Sequence, residues 1–153
     1  MAKEIERRWL VKSIPDIRHS VGVHIQQGYL TKPGDLVCTR VRIIDGELGE
    51  LTLKLNGTGI SCDEFNYSIP LEDATILMES TTNKVEKMRF KILYLGQGFE
   101  FDVFLGPHTG FTVVELELTS EDQVVILPDW VGEEITGKKE YSNLSIAFNG
   151  VPE

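Results

Sequence analysis

Pairs of like-charged side chains two residues apart recur along this sequence. Two pairs are acidic and two are basic: Glu4 with Glu6, Glu115 with Glu117, Arg40 with Arg42, and Lys87 with Arg89. Like charges on one face of a strand repel, so several such pairs are kept more readily when groups of opposite charge lie between them. Acidic pairs suit a divalent cation, and basic pairs suit phosphate or carboxylate groups. Together they indicate a strongly anionic ligand that is bound with divalent cations.

The segments that carry these pairs have the alternation of β-strands. We predict strands at 3–11, 24–31, 36–44, 49–56, 61–69, 84–94, 98–105 and 111–119. They are separated by the turn formers Pro33-Gly34-Asp35, Asp45-Gly46, Asn56-Gly57 and Gly96-Gln97-Gly98. Connections this short indicate hairpins and therefore an antiparallel sheet. In seven of the eight segments the charges share one face, because residues two apart point the same way.

An ordinary solvated face is the plain explanation for any one of these strands. The set as a whole argues against it, because such a face usually mixes Thr, Ser, Gln and Lys, whereas this one concentrates Arg and carboxylates. A closed barrel leaves no free sheet edge and would hold such a polar face in one cavity. Three short helices are also predicted, at 70–80, from Ser120 onward with acids in its first turn, and at 140–148.

Composition limits the classes of protein. The 153 residues carry a net charge of −9, which argues against long nucleic acid and against a membrane surface as partners. Hydrophobic residues make up 41%, as in a single globular domain. The sequence has no apolar run long enough for a membrane span and opens without an apolar signal core, so we expect a soluble, cytoplasmic protein. Cys38 and Cys62 lack the spacing of a zinc site or a disulfide framework.

Taken in order, the charged segments resemble the CYTH domain, the family of triphosphate tunnel metalloenzymes. The segment Glu4-Ile5-Glu6-Arg7-Arg8 resembles the N-terminal ExExK signature of that family. The later matching segments are Arg40-Val41-Arg42, Leu53-Lys54, Asp63-Glu64-Phe65, Val85-Glu86-Lys87-Met88-Arg89-Phe90, Glu100-Phe101-Asp102-Val103-Phe104 and Val114-Glu115-Leu116-Glu117-Leu118. Each fragment alone is common, but seven in register over nearly the whole chain are not expected by chance.

The resemblance implies a mainly β (α+β) fold, a single domain over 1–153. Its core would be a closed antiparallel eight-stranded β-barrel, or triphosphate tunnel, with a few short helices outside. It implies a metal-dependent phosphohydrolase that cleaves the terminal phosphate of a triphosphate. Inorganic tripolyphosphate is the first expectation, with a nucleoside or thiamine triphosphate close behind. The partner is then a small triphosphate-containing molecule, and a homodimer is left open.

The resemblance also assigns residues. The substrate-binding cations are Arg8, Arg40, Arg42, Lys54, Lys87 and Arg89. The ligands of Mg²⁺ or Mn²⁺, expected as two ions, are drawn from Glu4, Glu6, Glu64, Asp102, Glu115 and Glu117. The catalytic set is Glu4, Glu6, Arg8, Glu115 and Glu117. Six cations and seven carboxylates, Glu100 included, then face the lumen, so the acidity of the chain belongs to its exterior.

Some positions depart from the family pattern. Arg8 replaces the signature lysine and stays protonated, so it cannot act as a general base. Asn66 stands where short bacterial members tend to have a second carboxylate. Lys138 and Glu140 stand where an acid and a base are expected. Two alternatives therefore stay open: a class IV adenylyl cyclase, and a non-catalytic module that sequesters a phosphorylated nucleotide or a polyphosphate.

Overall fold

The computed structural model describes residues 3–55 and 60–153, which form nine strands and two α-helices. The elements are β1 (Lys3–Val11), β2 (Val23–Tyr29), β3 (Val37–Ile44), β4 (Leu48–Leu55), β5 (Ser61–Ile69), α1 (Leu71–Glu79), β6 (Lys84–Tyr94), β7 (Gln97–Phe104), β8 (Thr112–Glu117), β9 (Val131–Glu134) and α2 (Asn143–Asn149). Single turns of 3₁₀ helix occupy Gly106–His108 and Lys139–Tyr141. Neither α-helix is long and apolar enough to cross a membrane.

Eight of the strands close into an antiparallel barrel, as predicted. Their order is β5-β4-β3-β2-β6-β7-β8-β1, and β5 returns to pair with β1. That closing contact is short: Lys3 to Ile5 of β1 pair with Asp63 to Ser61 of β5. The other half of the same edge of β1, from Trp9 to Val11, pairs with the ninth strand, β9.

The predicted strands agree with the observed ones to within two residues at each end. Asn56, the predicted last residue of the fourth strand, and the turn Asn56-Gly57 lie outside the described residues. The two predicted helices at 70–80 and 140–148 correspond to α1 and α2. Asp45 and Gly46 both have positive φ, at 53° and 67°, which is the backbone that a two-residue hairpin turn requires.

The predicted helix starting at Ser120 is wrong. The Ser120 hydroxyl donates to Asp122, and the side-chain oxygen of Gln123 accepts from both the backbone N–H and the hydroxyl of Thr119. These local hydrogen bonds hold a turn, and such bonds compete with helix formation. Strand β9 was not predicted, because three of its four residues, Gly132, Glu133 and Glu134, disfavour strands, and the segment pairs with the edge of β1.

The hydrophobic core lies around the lumen. Outward-facing residues such as Trp9 and Val114 pack beneath the 119–131 segment, and Val41 packs beneath α1. At one end of the barrel the inward-facing residues are also apolar, and Phe104 packs there with Ile146 of α2. The helix α2 therefore closes that end, and the charged side chains occupy the middle of the barrel and its open end.

Candidate active site in the barrel lumen

The open end of the barrel leads into a cavity of about 440 Å³, within the usual size range of a small-molecule site. Every described residue that lines it is charged or an asparagine. They are Lys3, Glu4, Glu6, Arg40, Arg42, Glu50, Lys54, Glu64, Asn66, Lys87, Arg89, Glu100, Glu115, Glu117 and Asn143. The charged faces that the sequence predicts for these strands thus line one cavity, which contains both positive and negative side chains.

All but two of the predicted site residues line this cavity. Arg8 instead lines an adjacent cavity of about 310 Å³ beside α2, which shares Glu6, Arg40, Lys54 and Asn143 with the first. Asp102 lines neither and is fully buried in the barrel wall. The two cavities together run from the open end of the barrel to α2.

Asp102 holds two of the predicted cations in place. One carboxylate oxygen accepts from Arg89 Nε at 2.7 Å and the other from Arg89 Nη2 at 2.9 Å. The second oxygen is also 2.8 Å from Lys87 Nζ, which contacts Asn143 of α2 as well. Burial lowers the pKa of Lys87 to about 8, although Asp102 opposes that shift. Asp102 therefore fixes the positions of Lys87 and Arg89 in the lumen. Its assignment as a metal ligand stays a prediction.

Arg42 and Arg40 are fixed by neutral side chains that the sequence did not single out. The side-chain oxygen of Gln27 accepts from Arg42 Nη2 at 2.6 Å and from Nε at 3.0 Å, and Gln27 donates to the Tyr29 hydroxyl. Arg40 Nη2 donates to the Thr52 hydroxyl. Gln27 and Tyr29 lie on β2, the one barrel strand without a charge in the lumen. Gln27, Tyr29 and Thr52 are recognised only by their hydrogen bonds in this network, and a sequence does not show hydrogen bonds.

Asn66 has a defined role at its position. Its side-chain oxygen accepts from Thr52, and its amide donates to Glu64 at 3.0 Å. A carboxylate at this position could not make that donation, because an ionised acid has no hydrogen to give. Asn66 therefore links the Arg40 contact at Thr52 to the carboxylate of Glu64.

Two carboxylates at the open end share the ammonium group of Lys54. Lys54 Nζ is 2.9 Å from Glu4 and 3.6 Å from Glu64. Burial, with a hydrogen bond to Glu64, raises the pKa of Glu4 to about 7. Burial also disfavours ionisation of Glu64, but the hydrogen bond with Glu4 and the charge of Lys54 outweigh it and lower its pKa to about 2. When the pair binds one proton, Glu4 carries it and Glu64 stays ionised.

Two further acids lie directly opposite each other. The register of β1 and β8 places Glu6 against Glu117 and Arg8 against Glu115. In the described part of the chain, neither Glu6 nor Glu117 forms an ion pair. Burial, followed by the nearby charge of Glu115, raises the pKa of Glu6 to about 8. Opposed carboxylates without a cation destabilise a sheet, so this pair is suited to a positive ion between its members.

Glu115 differs from Glu6 because cations surround it. It is 3.3 Å from Arg8 Nε and 3.7 Å from Arg89 Nη2. Burial opposes its ionisation, but Arg89 and Arg8 outweigh burial and hold the pKa of Glu115 well below its usual range. It remains an anion in the unliganded lumen.

A divalent cation fits this donor set in one specific way. Within residues 3–55 and 60–153, no three acidic, histidine or cysteine side chains form a preassembled metal cage. Mg²⁺ usually binds through one or two carboxylates together with substrate phosphate and water, so a cage is not needed. The unpaired and opposed carboxylates of Glu6 and Glu117 supply such ligands.

Arg8 fixes the segment that leads into α2. Its Nη1 donates to the backbone carbonyl of Tyr141 at 2.9 Å, and its backbone N–H donates to the Thr136 hydroxyl. Its buried Nη2 has no hydrogen-bond partner among the described residues. Lys138, by contrast, forms an exposed ion pair with Glu133, away from the lumen.

The fold and this lumen define a class of protein: a closed antiparallel β-tunnel lined by charges of both signs. A family model described as the CYTH domain matches residues 2–146. The chain belongs to the CYTH domain family, and the resemblance seen in the sequence is confirmed.

Two curated relatives are similar over nearly their whole length. An inorganic triphosphatase of Acetivibrio thermocellus is 37% identical over 97% of this chain and 96% of its own. An inorganic triphosphatase of Nitrosomonas europaea is 40% identical, covering 95% of this chain and 97% of its own. A crystal structure of an inorganic triphosphatase, 36% identical, matches 99% of both chains with a TM-score of 0.73.

Proposed function

We propose that this protein hydrolyses inorganic tripolyphosphate to pyrophosphate and orthophosphate inside the barrel, with the help of a divalent cation. One observation carries the proposal: six cations line a single closed-walled cavity that also holds opposed, unpaired carboxylates. The cations are Lys3, Arg40, Arg42, Lys54, Lys87 and Arg89. Curated relatives at 37–40% identity are inorganic triphosphatases, which supports the same activity.

The cations act by binding and orienting the substrate. Guanidinium groups bind phosphate oxygens through paired hydrogen bonds, and the rigid partners of Arg42 and Arg89 fix the direction of those bonds. Phosphoryl transfer depends mainly on positioning and on neutralising charge at the transferred group. The basic side chains of the lumen supply both. Arg8, next to Glu115, extends this basic surface towards α2.

We assign the cation to the acidic side of the open end, with Glu6 and Glu117 as principal ligands and Glu4, Glu64 and Glu115 nearby. These residues would hold Mg²⁺ or Mn²⁺, which would supply neutralisation of phosphate charge and activation of the attacking water. The carboxylates position that ion, and the open end of the barrel admits water. Two ions remain our proposal for the full complement, since seven carboxylates line the cavity.

Product analysis tests the activity directly. The purified protein would be incubated with tripolyphosphate, ATP or thiamine triphosphate, each with Mg²⁺, with Mn²⁺ or with EDTA. We expect orthophosphate release that requires metal and is fastest with tripolyphosphate. Cyclic AMP and pyrophosphate from ATP would instead identify a cyclase. Binding of tripolyphosphate without any turnover, seen as a thermal shift alone, would overturn the proposal of hydrolysis.

Gln27→Met is expected to raise the KM for tripolyphosphate about tenfold with little change in kcat. The reason is that methionine keeps the volume but removes the oxygen that orients Arg42, and a hydrogen bond to a charged group contributes about 1.5–3 kcal/mol. Steady-state kinetics would measure the change. The matched control is Gln26→Met, on the opposite face of the same strand. Equal effects of the two substitutions would exclude a positioning role for Gln27.

Metal binding is expected to release protons near neutral pH, about one per ion bound. Metal ligation needs ionised carboxylates, whereas the raised pKa values of Glu4, about 7, and Glu6, about 8, leave both partly protonated in the free protein. Metal affinity should therefore rise as pH increases through 7 to 8. Calorimetry in buffers of different ionisation enthalpy measures the protons released. An absence of proton release at pH 7 would contradict the assignment of these two acids.

The same shifts predict how the metal-free protein responds to pH. A carboxyl group whose pKa is raised in the folded protein binds its proton more tightly there than in the unfolded chain. The folded protein therefore loses stability as the pH rises and that proton dissociates. In EDTA, the Tm should therefore fall between about pH 5 and pH 8. Added Mg²⁺ should reverse that fall. Glu64 acts in the opposite direction, but its lowered pKa confines its effect to pH values below about 4.5.

A further inference from the structure

The cavity of about 310 Å³ beside α2, which we call the α2-side cavity, differs in charge from the main cavity of about 440 Å³. Among the described residues that line it, four are cations and one is an acid: Arg8, Arg40, Lys54 and Lys139, with Glu6. The described lining of the main cavity has six cations and seven carboxylates. The α2-side cavity is therefore the more positive part of the lumen and suits an anion that carries no metal ion.

Two donors of its basic side chains lack acceptors. Arg8 Nη2 and Arg40 Nε are buried and have no hydrogen-bond partner among the described residues. Buried donors without an acceptor destabilise a protein, so these side chains are suited to a ligand that brings oxygen atoms. Leu55 and Leu144 form an uncharged part of the same wall, and an apolar wall strengthens the attraction between an anion and a guanidinium group. Together these features favour a small, highly charged oxyanion.

The α2-side cavity also lies on the path of a leaving group. Arg40, Lys54 and Asn143 line both cavities, so a phosphate chain bound in the main cavity can reach the second one. Glu117, a proposed metal ligand, and the entry for water belong to the open end. In phosphoryl transfer, the attacking and leaving oxygens lie roughly in line on opposite sides of the phosphorus. Attack from the open end therefore directs the leaving group towards α2.

We propose that the α2-side cavity binds the pyrophosphate that leaves when tripolyphosphate is cleaved, an inference that rests on the proposed hydrolysis. The oxygen of water bonds to the terminal phosphorus while the bridging P–O bond breaks, and the proton of the water passes to solvent at the open end. Pyrophosphate keeps the electron pair of the broken bond, and Arg8 and Arg40 bind its oxygens. Orthophosphate forms at the open end, so the two products separate towards opposite ends of the lumen.

Pyrophosphate has a route out beside α2. Pro33, Gly34 and Lys139 line the α2-side cavity and are exposed, so the cavity reaches the surface between the 33–34 turn and the segment before α2. Lys139 places a cation at that rim. A product that leaves this way does not pass back through the open end. The open end is then free for the next substrate while pyrophosphate departs.

Binding of pyrophosphate in EDTA, measured by isothermal titration calorimetry, tests the site with the matched variants Ser145→Glu and Ser145→Gln. Ser145 lines the α2-side cavity but not the main one. It is the third residue of α2, behind the Ser142 cap, where Glu and Gln both suit a helix. We expect metal-free binding by the wild type and by Ser145→Gln. The Kd of Ser145→Glu should be at least about tenfold higher, because the added carboxylate repels pyrophosphate and pairs with the cations.

A second pair of variants changes only exposed side chains, so the test does not depend on how α2 tolerates a substitution. Lys139→Gln removes the cation at the rim and should raise the Kd for pyrophosphate about threefold. Its control is Lys138→Gln, because Lys138 pairs with Glu133 away from the lumen. The control should bind pyrophosphate as the wild type does.

Product inhibition of tripolyphosphate hydrolysis gives a second readout. Pyrophosphate should inhibit the wild type and Ser145→Gln at lower concentrations than orthophosphate does, and Ser145→Glu should lose that preference. Equal Kd values within both pairs of variants, or pyrophosphate binding that requires Mg²⁺, would overturn the site even when the wild type hydrolyses tripolyphosphate. A wild type that binds pyrophosphate in EDTA but releases no orthophosphate from tripolyphosphate would instead overturn the proposed function, and the leaving-group role with it.

Discussion

Glu117→Gln is expected to lower metal-dependent phosphate release from tripolyphosphate by at least about 100-fold. Glu117 faces Glu6 across β1 and β8 and forms no ion pair within the described chain. Its charge is therefore available to a cation, and an amide is a much weaker ligand for Mg²⁺ than a carboxylate. The loss should appear mainly as a higher Mg²⁺ concentration for half-maximal activity.

The same substitution should leave the metal-free protein as stable as before or slightly more stable. Removing one of two opposed carboxylates relieves their repulsion, and Glu117 is exposed, so no buried partner loses its counter-charge. Urea unfolding in EDTA measures this. Glu121→Gln, on the exposed turn after β8, is the matched control and should change neither quantity. Full activity of Glu117→Gln at limiting Mg²⁺ would reject the metal assignment.

Glu115→Gln is a less specific probe of the metal than Glu117→Gln. Glu115 is buried between Arg8 and Arg89, and its loss removes the carboxylate that Arg8 contacts, whereas Arg89 keeps Asp102 and Glu100. An effect on activity could then come from a displaced Arg8. The difference between the two acids follows from the structure, whereas the sequence shows them only as members of one Glu-x-Glu pair.

Much of the barrel could be predicted because alternation of polar and apolar residues has a direct physical cause. Residues two apart share a face, so Arg40 and Arg42 had to face the same cavity. Ser120 shows where such local reasoning fails. Its capping signal is genuine, but the side chain of Gln123 satisfies the neighbouring backbone without a helix. Strand β9 forms by pairing with β1, which is distant in the sequence, and no local pattern predicts it.

The site was predicted less completely than the fold, for a related reason. Charged residues are visible in a sequence, and all but Arg8 and Asp102 of those assigned do line the main cavity. The contacts that orient them are not visible. Gln27 looks like an ordinary strand residue until the register places it beside Arg42. Asp102 has the same sequence context as Glu100, yet one is buried between cations and the other lines the lumen.

Asp102→Ala is expected to destabilise the protein by about 3–5 kcal/mol, the usual cost of removing one partner from a buried ion pair. Asp102 has no exposed surface and contacts both Lys87 and Arg89. Without it, the buried Lys87 loses its ion-pair partner and lies beside Arg89, which keeps only Glu100 and Glu115. Burial would then lower the pKa of Lys87 further, because Asp102 is the largest of the groups that oppose this shift. Urea unfolding at pH 7 measures the loss, with Asp129→Ala, an exposed acid, as the control.

Tripolyphosphate should partly restore the stability of Asp102→Ala and should raise its Tm by more than it raises that of the wild type. The reason is that an anion in the lumen supplies negative charge next to Lys87 and Arg89, and a ligand that binds only the folded state stabilises it. The experiment also separates two roles for Asp102. If Asp102 holds Lys87 and Arg89 in place, the variant should lose much stability in EDTA, where no metal is bound. A variant as stable as the wild type in EDTA, but with weakened Mg²⁺ binding, would instead make Asp102 a metal ligand.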